Sequence, residues 1–127
     1  KTCEVTYTGI WILSGMGSYQ NSDCSGGKVP STLYGETSMN LVEDCTYSSI
    51  DSMACSDTSS EGYDEYCKGT WYSSGTTITI PGLFGNVDYS VDQSGTEMMT
   101  TLQAKIGSDA NNLEEVCQYS TYTKSGS

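Results

Sequence analysis

Few side chains of this chain could transfer protons in catalysis, because it contains no His and no Arg. General acid–base catalysis needs a positioned proton carrier, and covalent catalysis needs a nucleophile beside a base. The remaining candidates are Ser paired with Lys, and paired carboxylates. Lys28, Lys68 and Lys105 lie in polar or strand-like sequence without a nucleophile motif. The sequence therefore predicts a protein that is not an enzyme and has no catalytic residues.

Carboxylates occur in two adjacent pairs, Glu43 with Asp44 and Glu114 with Glu115. Neighbouring residues on a β-strand point to opposite faces, so the two members of each pair would diverge. A glycosidase instead needs two carboxylates that face each other across a cleft. We therefore expect no glycosidase chemistry at either pair.

A denser acidic segment spans residues 51–65. Its carboxylates are Asp51, Asp57, Glu61, Asp64 and Glu65. Carboxylate oxygens are ligands that Ca²⁺ prefers, but this spacing lacks the ligand order and central Gly of an EF-hand. We expect a solvated acidic loop here, with a calcium site as the alternative and no other cofactor or metal site in the chain.

The six Cys lie at positions 3, 24, 45, 55, 67 and 117, with no C-x-x-C spacing. Structural zinc sites use Cys and His at short, regular spacings, so disulfides are the expected chemistry. The pairing of Cys55 with Cys67 is favoured, since it would close the acidic loop. An even number of Cys in a Ser- and Thr-rich chain is typical of secreted proteins. With no signal peptide before Lys1, we interpret the chain as a mature extracellular form, either secreted or held at the cell surface.

The chain has 127 residues and a formal net charge of −11. This length fits one domain over residues 1–127. Nucleic acids and anionic membranes are bound through clustered basic residues, so both partners are excluded. No apolar run approaches the roughly 20 residues that span a bilayer, which argues against membrane insertion. Val, Ile, Leu and Phe make up only about 15% of the chain, so Tyr, Trp and disulfides must supply much of its stability.

Turn-forming residues recur about every ten positions, with apolar residues alternating between them, as is typical of an all-β chain. This alternation predicts strands over residues 2–13, 36–48, 87–91, 96–104 and 116–124. A hairpin is predicted from residues 66–73 and 76–81 around Ser74-Gly75. Residues 14–35, rich in Gly, Ser and Asn, are predicted to form a long loop. Residues 108–115 could form a short helix capped by Ser108 or Asp109.

The predicted fold is a single antiparallel β-barrel or sandwich, a meander of about 6–8 strands stapled by disulfides. Trp11 and Trp71 fall on predicted strands and are expected in its core. Leu83 and Phe84 lie between two Gly on what should be an exposed turn. There they would cap an open barrel end or contact a partner.

Three segments resemble the small lipocalin-like β-barrel domains of exported proteins. Gly9-Ile10-Trp11 stands on the first strand, where the lipocalin G-x-W signature would stand. Residues 41–47 and 69–80 are similar to the hairpins of those domains in order and spacing. The resemblance covers residues 7–103 and implies a β-barrel. The six Cys, the acidic loop and the absence of Arg are not part of that pattern.

Both termini are strand-like, and a terminal strand that pairs with the sheet edge of a neighbour builds polymers. The sequence therefore favours a non-enzymatic extracellular structural protein. It would be a subunit of a fibre or surface appendage that self-associates into a homopolymer. The alternative is a lipocalin-like carrier, in which a cup for a small apolar ligand is lined by Trp11, Trp71, Tyr89 and Met98 or Met99.

Overall fold

The computed structural model describes residues 2–32, 37–51, 67–82, 85–107, 109 and 111–125. These residues form one 3-10 turn, Val5–Tyr7, and ten β-strands. The strands are β1 (Gly9–Tyr19), β2 (Lys28–Pro30), β3 (Thr37–Leu41), β4 (Thr46–Asp51), β5 (Lys68–Thr70), β6 (Tyr72–Ser74), β7 (Thr77–Gly82), β8 (Gly85–Val91), β9 (Glu97–Ile106) and β10 (Glu114–Ser125). The all-β prediction is confirmed, with more strands than expected.

The strands form one antiparallel sheet in the order β5-β4-β3-β1-β10-β9-β8-β7-β6, with β2 added to β1. Strands that follow one another in the chain are mostly neighbours in the sheet, so the topology is the predicted meander. Its first and last parts meet where β1 pairs with β10. The sheet curls into a nearly closed β-barrel. Of the two expected architectures, barrel and sandwich, the chain adopts the barrel.

The barrel closes at Trp71. This residue separates β5, which pairs with β4, from β6, which pairs with β7. Its backbone N–H donates to the carbonyl oxygen of Cys45 at 3.0 Å, and its indole N–H donates to that of Val42 at 2.9 Å. One bent segment of chain thereby joins the two ends of the sheet.

Two buried indoles dominate the barrel core. Trp11 and Trp71 have 0% and 1% of their surface exposed, which confirms the expectation that both are core residues. The indole N–H of Trp11 donates to the carbonyl oxygen of Tyr7 at 3.0 Å, so burial leaves it hydrogen-bonded. The rest of the cluster is Met39, Leu41, Ile78, Ile80, Tyr89, Val91, Met98 and Tyr122. Large aromatic side chains thus replace part of the missing aliphatic surface.

Strand β1 carries one residue more than the part of β10 beside it. Leu13 lies opposite Tyr122 and Gly15 lies opposite Thr121, so Ser14 stands between two register positions. A β-bulge of this kind changes the side-chain alternation of the strand that contains it. Leu13 therefore shares the barrel face with Tyr122, whereas Gly15 shares the outer face with Thr121. The expected long loop over residues 14–35 is wrong at its start, because β1 continues to Tyr19.

The second half of β1 holds a small aromatic cluster outside the barrel. The rings of Tyr19 and Tyr119 meet edge to face, with centroids 5.6 Å apart. The Lys28 ammonium lies 5.0 Å from the Tyr119 ring centroid, within cation–π range. Tyr119 and strand β2 pack directly over Gly17, where a Cβ atom would collide with the carbonyl oxygen of Val29. Gly17 therefore permits the close approach of β2 to β1.

Two disulfides connect parts of the chain that are distant in sequence. Cys3–Cys45 ties the N-terminal segment to the β3–β4 turn, and Cys24–Cys117 ties the β1–β2 connection to β10. They confirm the disulfide-stapled fold and indicate an oxidising environment. The Cys67 sulfur is also disulfide-bonded. Its expected partner, Cys55, lies outside the described residues.

The two turns that carry Cys24 and Cys45 share one local design. They read Asp23-Cys24-Ser25 and Asp44-Cys45-Thr46. In each turn the Asp carboxylate accepts hydrogen bonds from the N–H and the hydroxyl two residues further on. The Cys between them has a φ of 69°. In a three-residue hairpin loop this left-handed position usually belongs to Gly.

Two expectations about the first half of the chain are wrong. Residues 2–8 are not part of the first strand, because the segment is held at the end of the barrel. The Ser73 N–H donates to the Thr2 carbonyl oxygen at 2.9 Å, and the Glu4 N–H donates to the Ser73 hydroxyl oxygen at 2.8 Å. The single strand expected over residues 36–48 is instead the hairpin of β3 and β4. Its turn forms because the Cys45 N–H donates to the Val42 carbonyl oxygen at 3.0 Å.

The short helix expected over residues 108–115 is also wrong for the residues described there. The Asp109 carbonyl oxygen accepts from the Asn112 N–H at 2.9 Å, and its carboxylate accepts from the Asn111 N–H at 3.0 Å. Asp109 thus caps a turn rather than a helix. Strand β10 then begins at Glu114, which pairs with Ile106 of β9.

The expected strands in the second half of the chain are confirmed as β8, β9 and β10. The predicted hairpin is confirmed as β6 and β7, with the register Ser74↔Thr77. Its two-residue turn is Gly75-Thr76, one position later than predicted, and Gly75 has a φ of 61°. Glycine adopts this conformation without strain, so it sets the position of the turn.

Replacing Cys45 tests the left-handed turn. With the disulfide removed in both proteins, Cys3→Ala/Cys45→Gly should be more stable than Cys3→Ala/Cys45→Ala by about 1 kcal/mol, because only Gly adopts a positive φ without strain. The order should reverse at Cys117, which lies on a strand: Cys24→Ala/Cys117→Gly should be less stable than Cys24→Ala/Cys117→Ala. Urea unfolding measures both differences, and the same order at both sites would contradict the interpretation.

A second comparison tests the contact beneath Tyr119. Gly17→Ala should lower the free energy of unfolding by about 1–3 kcal/mol, because the added methyl meets backbone atoms that cannot move aside. Gly27→Ala is the matched control, since its Cβ would meet only the Gln20 side chain at 3.5 Å or more. Equal stability of the two variants in urea unfolding would show that β2 does not pack as described.

Candidate functional site

The Lys residues considered for catalysis lie on exposed strands. Lys28 stacks on Tyr119, as described above. Lys105 on β9 lies 4.0 Å from the Glu115 carboxylate on β10, and both side chains are mostly exposed. Lys68 is exposed on β5. The structure does not bring these three residues together.

The adjacent carboxylate pairs have structural surroundings. Asp44 closes the β3–β4 turn, and the hydrogen bonds from the Thr46 hydroxyl and N–H hold the pKa of its carboxyl group below the ordinary value. Glu43 is exposed in the same turn. Glu114 and Glu115 are consecutive and exposed at the start of β10, where Glu115 faces Lys105 across the sheet. All four carboxylates are exposed.

Other predicted positions fall outside the described residues. They include Leu83, Phe84 and all of the acidic segment except Asp51, which ends β4. Within the described ranges no group of three or more Cys, Asp or Glu is arranged to hold a metal ion. Likewise, none of the helices among the described residues could span a bilayer.

The residues proposed to line a ligand cup are packed against one another. Trp11, Trp71, Tyr89 and Met98 belong to one buried cluster. Met99 points to the other face of β9, where its sulfur lies 3.6 Å from the Tyr19 hydroxyl. Side chains therefore fill the middle of the barrel where the cup was expected.

Three tyrosines cluster at one end of this core. The rings of Tyr89 and Tyr122 meet edge to face, 5.8 Å apart between centroids. Burial raises the pKa of Tyr89, and repulsion from the nearby Tyr122 and Tyr47 phenolates would raise it further. Burial and Tyr47 raise the pKa of Tyr122 in the same way. These hydroxyl groups therefore stay neutral at physiological pH.

The strongest candidate for a functional surface is a free sheet edge. Strand β9 pairs with β10 along its whole length, but it pairs with β8 only at Met98 and Met99. Over residues 100–106, the edge of β9 that faces away from β10 has no strand beside it within the described ranges. We call this segment the open edge of β9.

The backbone groups at the open edge are known from the hydrogen bonds that precede it. On one side the Lys124 N–H donates to the Thr96 carbonyl oxygen, and on the other the Asp92 N–H donates to the Glu97 carbonyl oxygen. Along an antiparallel strand, the N–H and C=O groups of one residue point to the same side, and those of the next residue point to the other side. Residues 101, 103 and 105 therefore present their N–H and C=O groups at the open edge.

A cleft lies beside the open edge, because β8 and β9 diverge beyond their two paired positions. Its volume is about 580 Å³. One wall carries Asp88 of β8, and the other carries Thr101 and Leu102 of β9. Leu102 is 63% exposed, the largest exposure among the exposed large apolar residues described. An incoming strand would therefore find both backbone partners and apolar surface here.

Sequence reasoning did not identify the open edge. Alternation predicts where β8 and β9 lie, but it does not reveal that only two residues of each strand pair. The difference in length between residues 87–91 and 96–104 predicts that part of β9 lacks this neighbour, but it does not predict that the two strands diverge after two pairs. Comparison with protein-family models, curated proteins and solved structures finds no match for this chain.

The buried tyrosines predict a specific alkaline response. Below about pH 10 their hydroxyls are protonated in both the folded and unfolded chain. Above it the unfolded chain loses protons that the folded chain keeps, so stability falls as pH rises. Tyr89→Phe should make this fall shallower by up to about 1.4 kcal/mol per pH unit. Urea unfolding on either side of pH 10 measures the slopes, and an unchanged slope would contradict the burial of the Tyr89 hydroxyl.

Proposed function

We propose that this protein is a non-enzymatic extracellular structural protein, a subunit of a fibre or surface appendage that polymerises through sheet-edge contacts. The observation that carries this proposal is the open edge of β9. Natural proteins usually protect such edges by shortening them, or by placing Lys or Pro on them. Strand β2 follows that rule, with three residues that include Lys28 and Pro30. Strand β9 has no second partner strand beside residues 100–106 among the described residues, and Lys105 is the one Lys or Pro in that segment.

The distribution of charge supports contact at this edge. A chain with a net charge of −11 repels its own copies. No acidic residue occurs between Glu97 and Asp109, so the open edge lies in a segment with little of that charge. Copies that meet there avoid placing carboxylates directly opposite one another.

The geometry of the cleft suggests how a polymer would grow. Within the described part of the chain, β8 also has no partner strand over residues 85–89 on the side that faces the cleft. Pairing of β9 in one copy with β8 of the next would join two different surfaces. A contact of this type does not close on itself unless the rotation completes a ring, and otherwise it produces a filament.

The chain termini contribute less than the open edge to this proposal. Strand β10 is paired with β1 on one side and with β9 on the other, so it is not free to join a neighbour. The N-terminal segment is held by the Cys3–Cys45 disulfide. Edge pairing therefore replaces exchange of a terminal strand as the mechanism that we favour. The disulfides suit an extracellular protein, since they resist unfolding outside the cell.

A lipocalin-like carrier of a small apolar ligand is less well supported. The carrier needs a cup, but Trp11, Trp71, Tyr89 and Met98 pack into one cluster at the place where the cup would lie. The filled interior favours a structural role over the transport of a ligand enclosed by the barrel.

The test is microscopy of the protein isolated without reductant or denaturant, together with its mass in solution. We expect threads with a repeat close to the length of one subunit. Thr101→Pro should abolish them while leaving the fold intact, because the Thr101 N–H points to the open edge and not to β10. Thr101→Ala is the matched control, since it keeps the N–H and should still form threads.

Two outcomes would contradict different parts of this proposal. Threads formed by Thr101→Pro would exclude the β9 edge as the contact while leaving the structural role in place. A wild-type protein that stays a 13.6 kDa monomer at all concentrations would exclude the polymer itself. Thermal unfolding of each variant shows whether the fold has been kept.

A further inference from the structure

A recess opens at the end of the barrel core where the three tyrosines cluster. Its volume is about 180 Å³. Tyr47, Tyr89 and Tyr122 line it together with Met39, Ile80 and Val87. These residues come from five strands, β3, β4, β7, β8 and β10, and none of them belongs to β9, although Val87 also lines the cleft beside the open edge.

Tyr89 and Tyr122 are almost buried and Tyr47 is partly buried, yet none of the three hydroxyls has a hydrogen-bond partner in the described parts of the chain. Tyr89 and Tyr122 are 8% and 9% exposed. Buried Tyr hydroxyls usually find a hydrogen-bond partner. Among the described residues no fully enclosed side-chain polar atom lacks one, so these hydroxyls keep some contact with solvent. Because the three tyrosines line the recess, it offers aromatic surface to a ligand.

The arrangement of the rings favours a cation. Tyr89 and Tyr122 stand at 81° to one another, and Tyr47 adds a third ring. Rings that meet at a steep angle form the corner of an aromatic cage, the arrangement that binds quaternary ammonium groups through cation–π attraction. No Lys side chain of the described residues lines the recess. The net charge of −11 also attracts cations towards the protein.

The size of the recess limits the ligand to a small group. A cavity of about 150 Å³ accommodates benzene in another protein, and a trimethylammonium group has comparable bulk. Met39 and Ile80 supply apolar surface for the methyl groups. A primary ammonium would suit this recess less well, because it would lose its hydration without gaining hydrogen bonds to charged acceptors.

We propose that Tyr47, Tyr89 and Tyr122 form a binding site for a trimethylammonium group of the kind that choline carries. The site does not depend on polymer formation. The Tyr47 hydroxyl contributes to the raised pKa of both Tyr89 and Tyr122, which agrees with the closeness of the three side chains. Ligand recognition comes from the rings and from the negative field of the protein, with the hydroxyls in a secondary role.

Choline and its neutral isostere 3,3-dimethyl-1-butanol test the proposal, because they differ in charge and hardly in shape. Titration followed by NMR of the tyrosine rings should show saturable binding of choline and much weaker binding of the alcohol. Equal binding of the two probes, or preference for the alcohol, would show an apolar pocket and overturn the proposal. Absence of choline binding would overturn it as well.

Substitutions of the tyrosines distinguish the contribution of the rings to choline binding from that of their hydroxyls. Tyr47→Leu and Tyr122→Leu should each weaken choline binding by roughly tenfold, since each removes one ring of the cage. Tyr122→Phe should retain most of the affinity, because the ring remains, and it avoids the larger packing loss of the Leu variant. Tyr19→Leu is the matched control, as it removes a ring from the aromatic cluster outside the barrel. A Tyr122→Phe protein that folds but loses choline would contradict the cage.

Discussion

The hydrogen bonds of Trp71 are the constraint on which the barrel depends. A meander that starts at β1 and ends at β10 leaves two free edges in the middle of the chain, at β5 and β6. These edges belong to one segment that changes partner at Trp71. The indole fixes the bend by donating to Val42, while the backbone N–H donates to Cys45. Because the same indole is buried in the core, closure of the sheet and formation of the core are a single event.

Closure at this point leaves one further irregularity in the sheet, between β8 and β9. Strand β8 contains seven residues and β9 contains ten, but only two residues of each are paired with one another. Beyond that pairing β9 continues with β10, while β8 continues with β7. The open edge is therefore a consequence of the divergence of β8 from β9. The extension of β9 and β10 also carries the Cys24–Cys117 disulfide and the aromatic cluster at Tyr19, which keep it rigid without closing the cleft.

Much of the fold could be predicted from local pattern, and the failures have identifiable causes. Strands β8 and β10 alternate clearly between buried and exposed residues, so a period of two locates them. The turn at Asp44 was missed because Cys45 occupies a position where Gly would be the usual signal. The helix expected near Asp109 failed because an Asp that caps a helix can equally cap a turn. Local sequence does not distinguish the two.

The functional surfaces were harder to predict, since both depend on distant parts of the chain. Tyr89 was expected to face the barrel interior, but its grouping with Tyr47 and Tyr122 required the register of three separate strands. The open edge depends on where the pairing of β8 with β9 stops. No property of residues 100–106 alone reveals whether a partner strand lies beside them. The order and register of the strands therefore determine where both sites lie, and the amino-acid composition alone does not locate them.

The bulge at Ser14 has a consequence for how β1 tolerates change. Odd-numbered positions are the more buried ones on both sides of the bulge, from Trp11 to Gly17. Before Ser14 they fit a barrel interior, and after it they fit an outer cluster on the reverse of the sheet. The extra residue at Ser14 thus divides the strand into two halves, in which the odd-numbered residues lie on opposite faces of the sheet. Substitutions in each half affect the packing of a different set of neighbours. The residues of the barrel interior and those of the outer extension can therefore vary independently, although both lie on a single strand.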